Sequence, residues 1–270
     1  MIILLITGTL VTLILAWLML SYSFLIPPPK GLPILMYHKI SENQADGLTL
    51  TAEQLDRQFR HIREKGYHTI YFEELSSIMQ AGLCLPERSL IITFDDAYES
   101  FSSYVLPLLE KYNFKATVFV PVGYMGKTNV WDQGNDRIMT PEELKKLAGR
   151  EHVEIGLHSF LHRNYGTLQI EEMKEDLANC INLLNANDLP FVRVLAYPYG
   201  GYPKKDKIRL GEMKNLFREV NLDFALRIGN RINPFPFKDP YILKRIDIKG
   251  TDNFLTFKIK LKKGRKKLFS

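Results

Sequence analysis

The stretch "SLIITFDD", residues 89–96, decides the fold. Leu90 to Phe94 form an unbroken apolar and β-branched run, the pattern of a strand covered on both faces rather than one that alternates between core and water. Such strands belong to parallel sheets flanked by helices, so helical patterns are expected on either side. Downstream, a helix is expected over about 99–112, interrupted by Pro107, followed by the strand "KATVFV" at 115–120. Thr140-Pro141-Glu142-Glu143 combines an N-cap, a proline at the first helical position and a capping glutamate. "HVEIGLH" (152–158) is the next strand, and Ile170, Met173, Leu177, Ile181 and Leu184 mark one face of a long amphipathic helix. "VRVLAY" (192–197), "DFALRI" (223–228) and "YILKRIDI" (241–248) complete the downstream strands. Upstream lie a short helix at 72–81, a strand "YHTI" at 67–70 and a helix opened by the capping box Thr51-Ala52-Glu53-Gln54, with Leu55, Phe59 and Ile62 on its apolar face. The strand "PILMYH" at 33–38 comes first. Alternating strands and helices without a repeat period imply βαβ units, and the expectation is an α/β fold: a distorted (β/α) barrel of about seven strands. In such barrels chemistry sits at the carboxyl ends of the strands.

Three motifs meet that requirement. Asp95 and Asp96 end the strand quoted above; alone they also fit a turn or a helix N-cap. "HSFLH" at 158–162 ends another strand, and its spacing would set His158 and His162 on one side of a single helical turn, close enough to share an ion. "AYPYGGY" at 196–202 ends a third, where Gly200 and Gly201 permit close approach of a ligand or simply a turn. Taken together, one Asp and two His make a facial metal site with open positions, leaving the other Asp free to act as a base.

With these motifs the chain resembles the polysaccharide deacetylases of carbohydrate esterase family 4, the nodulation-protein-B homology domain, over about residues 33–248. "TFDD", "HSFLH" and "YPYG" resemble its first three motifs. The resemblance implies Asp95 as general base, Asp96, His158 and His162 as metal ligands, and Tyr199 as donor of a backbone N–H to the oxyanion. It implies a divalent ion, zinc by default with cobalt or nickel as substitutes, and an N-acetylated polysaccharide substrate: peptidoglycan, poly-N-acetylglucosamine or a chitin-like oligomer. Two family features are missing. Ala196 and Tyr197 stand where an Arg orients the base, which makes Arg245 on the last strand a candidate substitute. No histidine follows His162 to serve as general acid. "LMYH" at 35–38 resembles the permuted branch containing the poly-N-acetylglucosamine deacetylases of biofilms, in which the acid comes from the first strand, and so implies His38. Trp131, in "TNVWDQ", is a sugar-stacking or pocket-wall candidate, with core packing the alternative. Two other functions remain open: hydrolysis of small non-peptide amides, and a catalytically silent carbohydrate-binding protein.

The rest of the chain sets the address. With 270 residues and 46% hydrophobic content, disordered and collagen-like classes are excluded. Residues 2–26 carry no charge and at the helical rise would extend about 37 Å, more than a bilayer core of about 30 Å. They are expected to form one transmembrane anchor, or an uncleaved signal, within residues 1–26, followed by a Pro-rich spacer at 27–32. The deacetylase-like domain is expected over 33–257 and a basic tail over 258–270. That tail holds seven Lys and Arg, so without it the net charge of +6 becomes −1. It suits anionic lipid or anionic polymer, or a solvated terminus; nothing elsewhere resembles a nucleic-acid module. Cys84 and Cys180 are too few for a disulfide scaffold. A monomer is expected, anchored once in the cell membrane, with its catalytic domain outside because the implied substrate is there.

Overall fold

The computed structural model of the protein describes residues 7, 11–12, 29–132 and 134–265. The expected membrane-spanning stretch therefore lies outside the described residues, apart from Thr7, Val11 and Thr12, as do positions 266–270 of the basic tail. Among the described residues no helix is long and apolar enough to cross a membrane.

In chain order the elements are β1 (Ile34–Tyr37), β2 (Lys39–Ser41), β3 (Thr49–Thr51), α1 (Ala52–Glu64), β4 (His68–Thr69), α2 (Phe72–Gln80), β5 (Ser89–Asp95), α3 (Leu106–Tyr112), β6 (Ala116–Val120), α4 (Pro141–Ala148), β7 (Val153–Leu157), α5 (Ile170–Ala186), β8 (Val194–Ala196), α6 (Lys207–Glu219), β9 (Phe224–Ile228), β10 (Leu243–Asp247) and α7 (Phe254–Lys263). Seven parallel strands close a ring in the order β1-β5-β6-β7-β8-β9-β10, with β1 pairing to both β5 and β10. The (β/α) barrel expected from the strand–helix alternation is the observed architecture.

Side-chain parity explains the layers. On β5, Leu90, Ile92 and Phe94 point to the helices and join the outer core, while Ile91 points into the ring. Ile34, Phe119, Val194, Ala196, Phe224, Leu226 and Leu243 fill the ring with Ile91. Gly156 on β7 makes room for one of them: a Cβ there would lie 2.5 Å from the Phe119 ring. Phe72 and Leu75 of α2 belong to the same inner cluster and close the floor of the barrel, where the strands begin. Glu154, near the start of β7, ties this floor together. Its carboxylate accepts from the Thr117 hydroxyl (2.6 Å) and from the N–H groups of Phe72 (2.8 Å) and Glu73 (3.4 Å), at the start of α2.

The helix starts follow the sequence closely. Thr51 Oγ1 accepts from Gln54 N–H and Gln54 Oε1 from Thr51 N–H, and Thr140 and Glu143 make the same exchange at α4. Three regions differ from expectation. The helix expected at 99–112 begins as a π-helical turn, Phe101–Val105, and becomes α-helical only where Pro107 enters the first turn. A proline has no N–H to contribute to the ladder, so the change of pitch falls just before it. The strand expected at 67–70 shrinks to two paired residues at the mouth of β5, since the chain must turn there to feed the floor helix. The boundary expected at 257/258 falls inside α7, whose Phe257 and Leu261 are buried and whose Lys260 ammonium reaches Asp252 (2.5 Å) and the Asp247 carbonyl (2.7 Å).

Candidate active site and metal centre

The site stands on the carboxyl ends of five barrel strands. Alternation would send Asp96 away from Asp95. A left-handed backbone at Asp96 (φ 72°) and Ala97 (φ 52°) breaks the pleat instead. Both carboxylates thereby reach His158 Nε2, Asp95 Oδ2 at 3.9 Å and Asp96 Oδ1 at 3.5 Å. His162 Nε2 lies 3.3 Å from the same Asp96 oxygen. Ligand atoms of Asp96, His158 and His162 all fall within 4.8 Å of one another, and all three residues are buried.

The two histidines do not share a helical turn as their spacing suggested. "HSFLH" is an irregular loop with left-handed residues at Ser159 (φ 66°) and His162 (φ 54°). Asp176 on α5 holds it. Its carboxylate accepts from the Ser159 hydroxyl (2.8 Å), the Phe160 N–H (3.0 Å) and the Tyr165 hydroxyl (2.8 Å). These bonds offset left-handed conformations that cost about 1–3 kcal/mol each. Sequence reading missed Asp176, although an acid next to Met173 and Leu177 on an otherwise apolar helix face is a legible signal of a buried polar anchor.

Hydrogen bonds set the tautomers. His158 Nδ1 lies 2.8 Å from the Ala196 carbonyl, an acceptor only, so Nδ1 carries the proton and Nε2 presents a lone pair to the centre. His162 Nδ1 lies 3.2 Å from the Tyr199 hydroxyl, which can accept in the same way. With Nε2 unprotonated on both rings, the buried Asp96 Oδ1 has no hydrogen-bond donor. An unpartnered buried carboxylate oxygen facing two imidazole lone pairs is a donor set that fits a divalent metal. Burial pushes His158 down to about 4, which keeps it neutral and ligand-competent at neutral pH.

Asp95 has a different partner. Arg245 on β10, only 1% exposed, clamps it with Nη1 to Oδ1 at 2.5 Å and Nη2 to Oδ2 at 2.7 Å. Burial raises the Asp95 pKa, but the Arg245 guanidinium and His158 outweigh it, and the carboxyl is held below its usual range. His38, just past β1, brings Nε2 to 3.8 Å from Asp95 Oδ2. The residue expected as a substitute for the missing motif-three Arg thus touches Asp95, and the histidine from the first strand faces it.

One wall is aromatic. The Trp131 ring stacks on His162 with centroids 4.2 Å apart, and Tyr124 meets Trp131 edge-on at 5.0 Å. Lys39 holds the Trp131 loop through Asp136 (2.8 Å) and Asp132 (3.4 Å), and Asp132 also accepts from the Tyr98 hydroxyl at 3.3 Å. Neither Lys39 nor Tyr98 stood out in the sequence. Tyr199 makes a second wall, left-handed at φ 59° and with its ring edge-on to His162. Of the other histidines, His152 bonds the Phe114 carbonyl and His61 packs on Phe254 and Phe257, both away from the centre.

Comparison with known proteins agrees with the geometry. Residues 82–213 match the family model described as polysaccharide deacetylase. The chain is 28% identical over 174 residues to YxkH of Bacillus subtilis (strain 168), whose name assigns it to the polysaccharide deacetylases; the match spans 64% of this chain and 58% of that protein. It is 28% identical over 149 residues to the poly-beta-1,6-N-acetyl-D-glucosamine N-deacetylase of Escherichia coli (strain K12), covering 52% of this chain and 22% of the relative. The chain therefore spans less than two thirds of the length of these relatives. Among solved structures, IcaB from Ammonifex degensii superposes with TM-score 0.69 at 18% identity, covering 87% of this chain and 97% of that one. A Streptococcus pyogenes deacetylase, PplD, solved in complex with acetate, gives TM-score 0.67 at 20% identity, covering 83% and 94%. Residues 82–213, which carry Asp95, Asp96, His158 and His162, are similar to the polysaccharide deacetylase family, and the barrel around them has the fold of the solved deacetylases.

Proposed function

We propose that this protein is a metal-dependent hydrolase that removes N-acetyl groups from an N-acetylglucosamine-containing polysaccharide at the cell surface, releasing acetate. The observation that carries the reading is the convergence of an ionised, Arg-clamped Asp95, a facing His38 and the Asp96–His158–His162 set in one buried cluster.

Asp96, His158 and His162 would hold the ion, zinc by default, with cobalt or nickel able to occupy the same donors. When bound, such an ion polarises the acetamide carbonyl and acidifies water. Asp95 accepts a proton from the attacking water; its remaining lone pairs face His38 and His158 rather than solvent. Arg245 keeps that carboxylate ionised and fixed in orientation. The Tyr199 N–H donates to the oxyanion as the carbonyl carbon becomes tetrahedral. His38 gives a proton to the departing amine, which is otherwise a very poor leaving group. Trp131 supports His162 and offers the sugar an aromatic edge.

The reading extends to location. Residues 2–26 would anchor the domain in the cell membrane with its catalytic face outside, where peptidoglycan, poly-N-acetylglucosamine or chitin-like chains lie. Poly-N-acetylglucosamine is favoured among these, because relatives matched here carry that substrate in their names. A silent carbohydrate-binding role was motivated by the absent motif-three Arg, and Arg245 on Asp95 removes that motive. Acetate release from N-acetylglucosamine oligomers, abolished by a chelator and restored by added zinc, tests the proposal. Oligomer binding without acetate release, with metal present, would overturn it.

A further inference from the structure

Between the aromatic wall and the segment that carries His38 sits a charged cluster that neither the metal-ligand set nor the Asp95–His38 pair uses. Lys39 follows His38 directly. His38 faces Asp95, whereas Lys39 Nζ crosses to the loop at 127–138, 2.8 Å from Asp136 Oδ2 and 3.4 Å from Asp132 Oδ2. Lys39 and Asp132 are 15% and 17% exposed, so this pair is screened less than an ion pair in open solvent. Burial lowers the Lys39 pKa, but Asp136 and Asp132 outweigh it and raise the balance, so the cation persists. The fold of the loop itself creates the need for that cation. Thr128 bridges Arg137, Asn129 N–H donates to the Asp136 carbonyl (3.1 Å), and Asp136 N–H donates back to Asn129 Oδ1 (2.9 Å). This closure turns Asp132 and Asp136 toward one place: a Cβ at Gly134 would collide with Asp136 Oδ2 and lie 3.1 Å from Asp132 Oδ1. Two carboxylates drawn so close repel each other unless a positive group stands between them.

Two branches run from this cluster to the metal-ligand set. In the first, the Tyr98 hydroxyl donates to Asp132 Oδ2 at 3.3 Å, Lys39 Nζ lies 5.3 Å from the centroid of the same ring, and Tyr98 stands two residues after Asp96. In the second, Trp131 precedes Asp132 in the chain, and its ring lies within 17° of parallel to His162. Apolar burial alone fixes that ring weakly, since Trp131 is half-buried and Val130 beside it is exposed. Charge-assisted bonds to Asp132 and Asp136 are directional and shielded, and they tie the loop to the segment that carries His38.

We propose that Lys39 is a positioning residue for glycan binding: by neutralising and pinning Asp132 and Asp136 it keeps Trp131 stacked on His162, and so sets how tightly the sugar is held rather than how fast the amide is cleaved. The glycan half of this rests on the deacetylase reading; the placement of Trp131 does not. Trp17→Phe leaves Trp131 as the one tryptophan of the full chain in detergent, so acrylamide quenching reads its exposure. In that parent, Lys39→Met should raise the quenching constant at least about threefold while one zinc per chain is retained. Lys39→Arg, whose fork can reach both carboxylates, should stay within about 1.5-fold of the parent. With N-acetylglucosamine oligomers, Lys39→Met should raise KM about threefold to tenfold and leave kcat within about twofold, and Lys39→Arg should restore KM. Lys39→Met combined with Asp132→Asn and Asp136→Asn strands no charge, and serves with the same expected rise in quenching if Lys39→Met fails to fold. Unchanged quenching in the folded variant, a fall in kcat with KM unchanged, or no recovery with Arg would each overturn the role of Lys39. A parent that releases no acetate would sink the deacetylase reading alone; the quenching comparison would stand, and oligomer Kd by calorimetry would take the place of KM.

Discussion

The two ends of the barrel each bury a carboxylate, and they treat it in opposite ways. At the rim, Asp95 is 3% exposed and meets a bidentate guanidinium; at the floor, Glu154 is 9% exposed and meets only a hydroxyl and two backbone N–H groups. Burial pushes both pKa values up. Arg245 reverses the effect for Asp95, whereas nothing charged opposes it at Glu154, which burial raises to about 7 despite its donors. A cation, more than depth, decides how readily a buried acid ionises, and the acid that has one faces the pocket.

The sharpest break between the two ends is catalytic. Asp95→Asn should lower kcat by about 10⁴-fold while leaving one metal per chain by elemental analysis, whereas Glu154→Gln should leave kcat within about twofold. Metal loss in Asp95→Asn would mean that the two aspartates have exchanged roles.

Arg245→Met should destabilise the fold by about 3–5 kcal/mol in urea titrations, because it strands a buried charge. Adding Asp95→Asn should recover part of that loss; a purely additive double variant would argue against direct coupling. His38→Ala should cost about 10²–10³-fold in kcat with metal content unchanged, the loss expected of a general acid that holds no metal.

Stability against pH should also separate the two carboxylates. The folded pKa of Glu154 lies above the ordinary glutamate value of 4.5, so its contribution is complete below that value and is lost as pH rises through about 7, a swing of about 3 kcal/mol. Asp95 has the opposite sign: its contribution is present above the ordinary aspartate value of 3.8 and is lost only as pH falls through its lower folded value. Urea titrations at pH 5 and pH 8 should show wild type losing more stability than Glu154→Gln over that interval. Parallel losses would remove Glu154 from the account. The smallest effect belongs to Trp131→Ala, expected to raise KM about tenfold with metal content retained.

The rim was far more legible in the sequence than the floor. Asp95, Asp96, His158, His162 and Tyr199 follow strands whose apolar runs are unmistakable, so each could be placed at a strand end before any coordinates. Arg245 was reached only through a gap in the third motif, since an Arg on a late strand carries no local mark of the acid it faces across the ring. The path of the His158–His162 loop was misread because spacing is silent on backbone handedness, which here is set by Asp176 from a different helix. The floor escaped for a related reason. Glu154 lies within a strand run where a lone acid looks like a solvent-facing residue, and Thr117 and the start of α2 become its partners only once the ring has closed. At α7 the lysines pointed to a solvated stretch, while the burial of Phe257 and Leu261 depends on docking against the barrel.

The closure of β1 onto both β5 and β10 has one more consequence. A ring has no first strand. Tyr37 pairs with Phe94, and Leu35 and Met36 pair with Ile246 and Asp247, so the strands carrying the proposed acid, base and clamp are immediate neighbours although their residues lie far apart in the chain. Moving the chain ends to another gap between strands would leave that neighbourhood unchanged. A rearranged gene can therefore supply the histidine from either end of the polypeptide while the same three strands bring it to the same carboxylate.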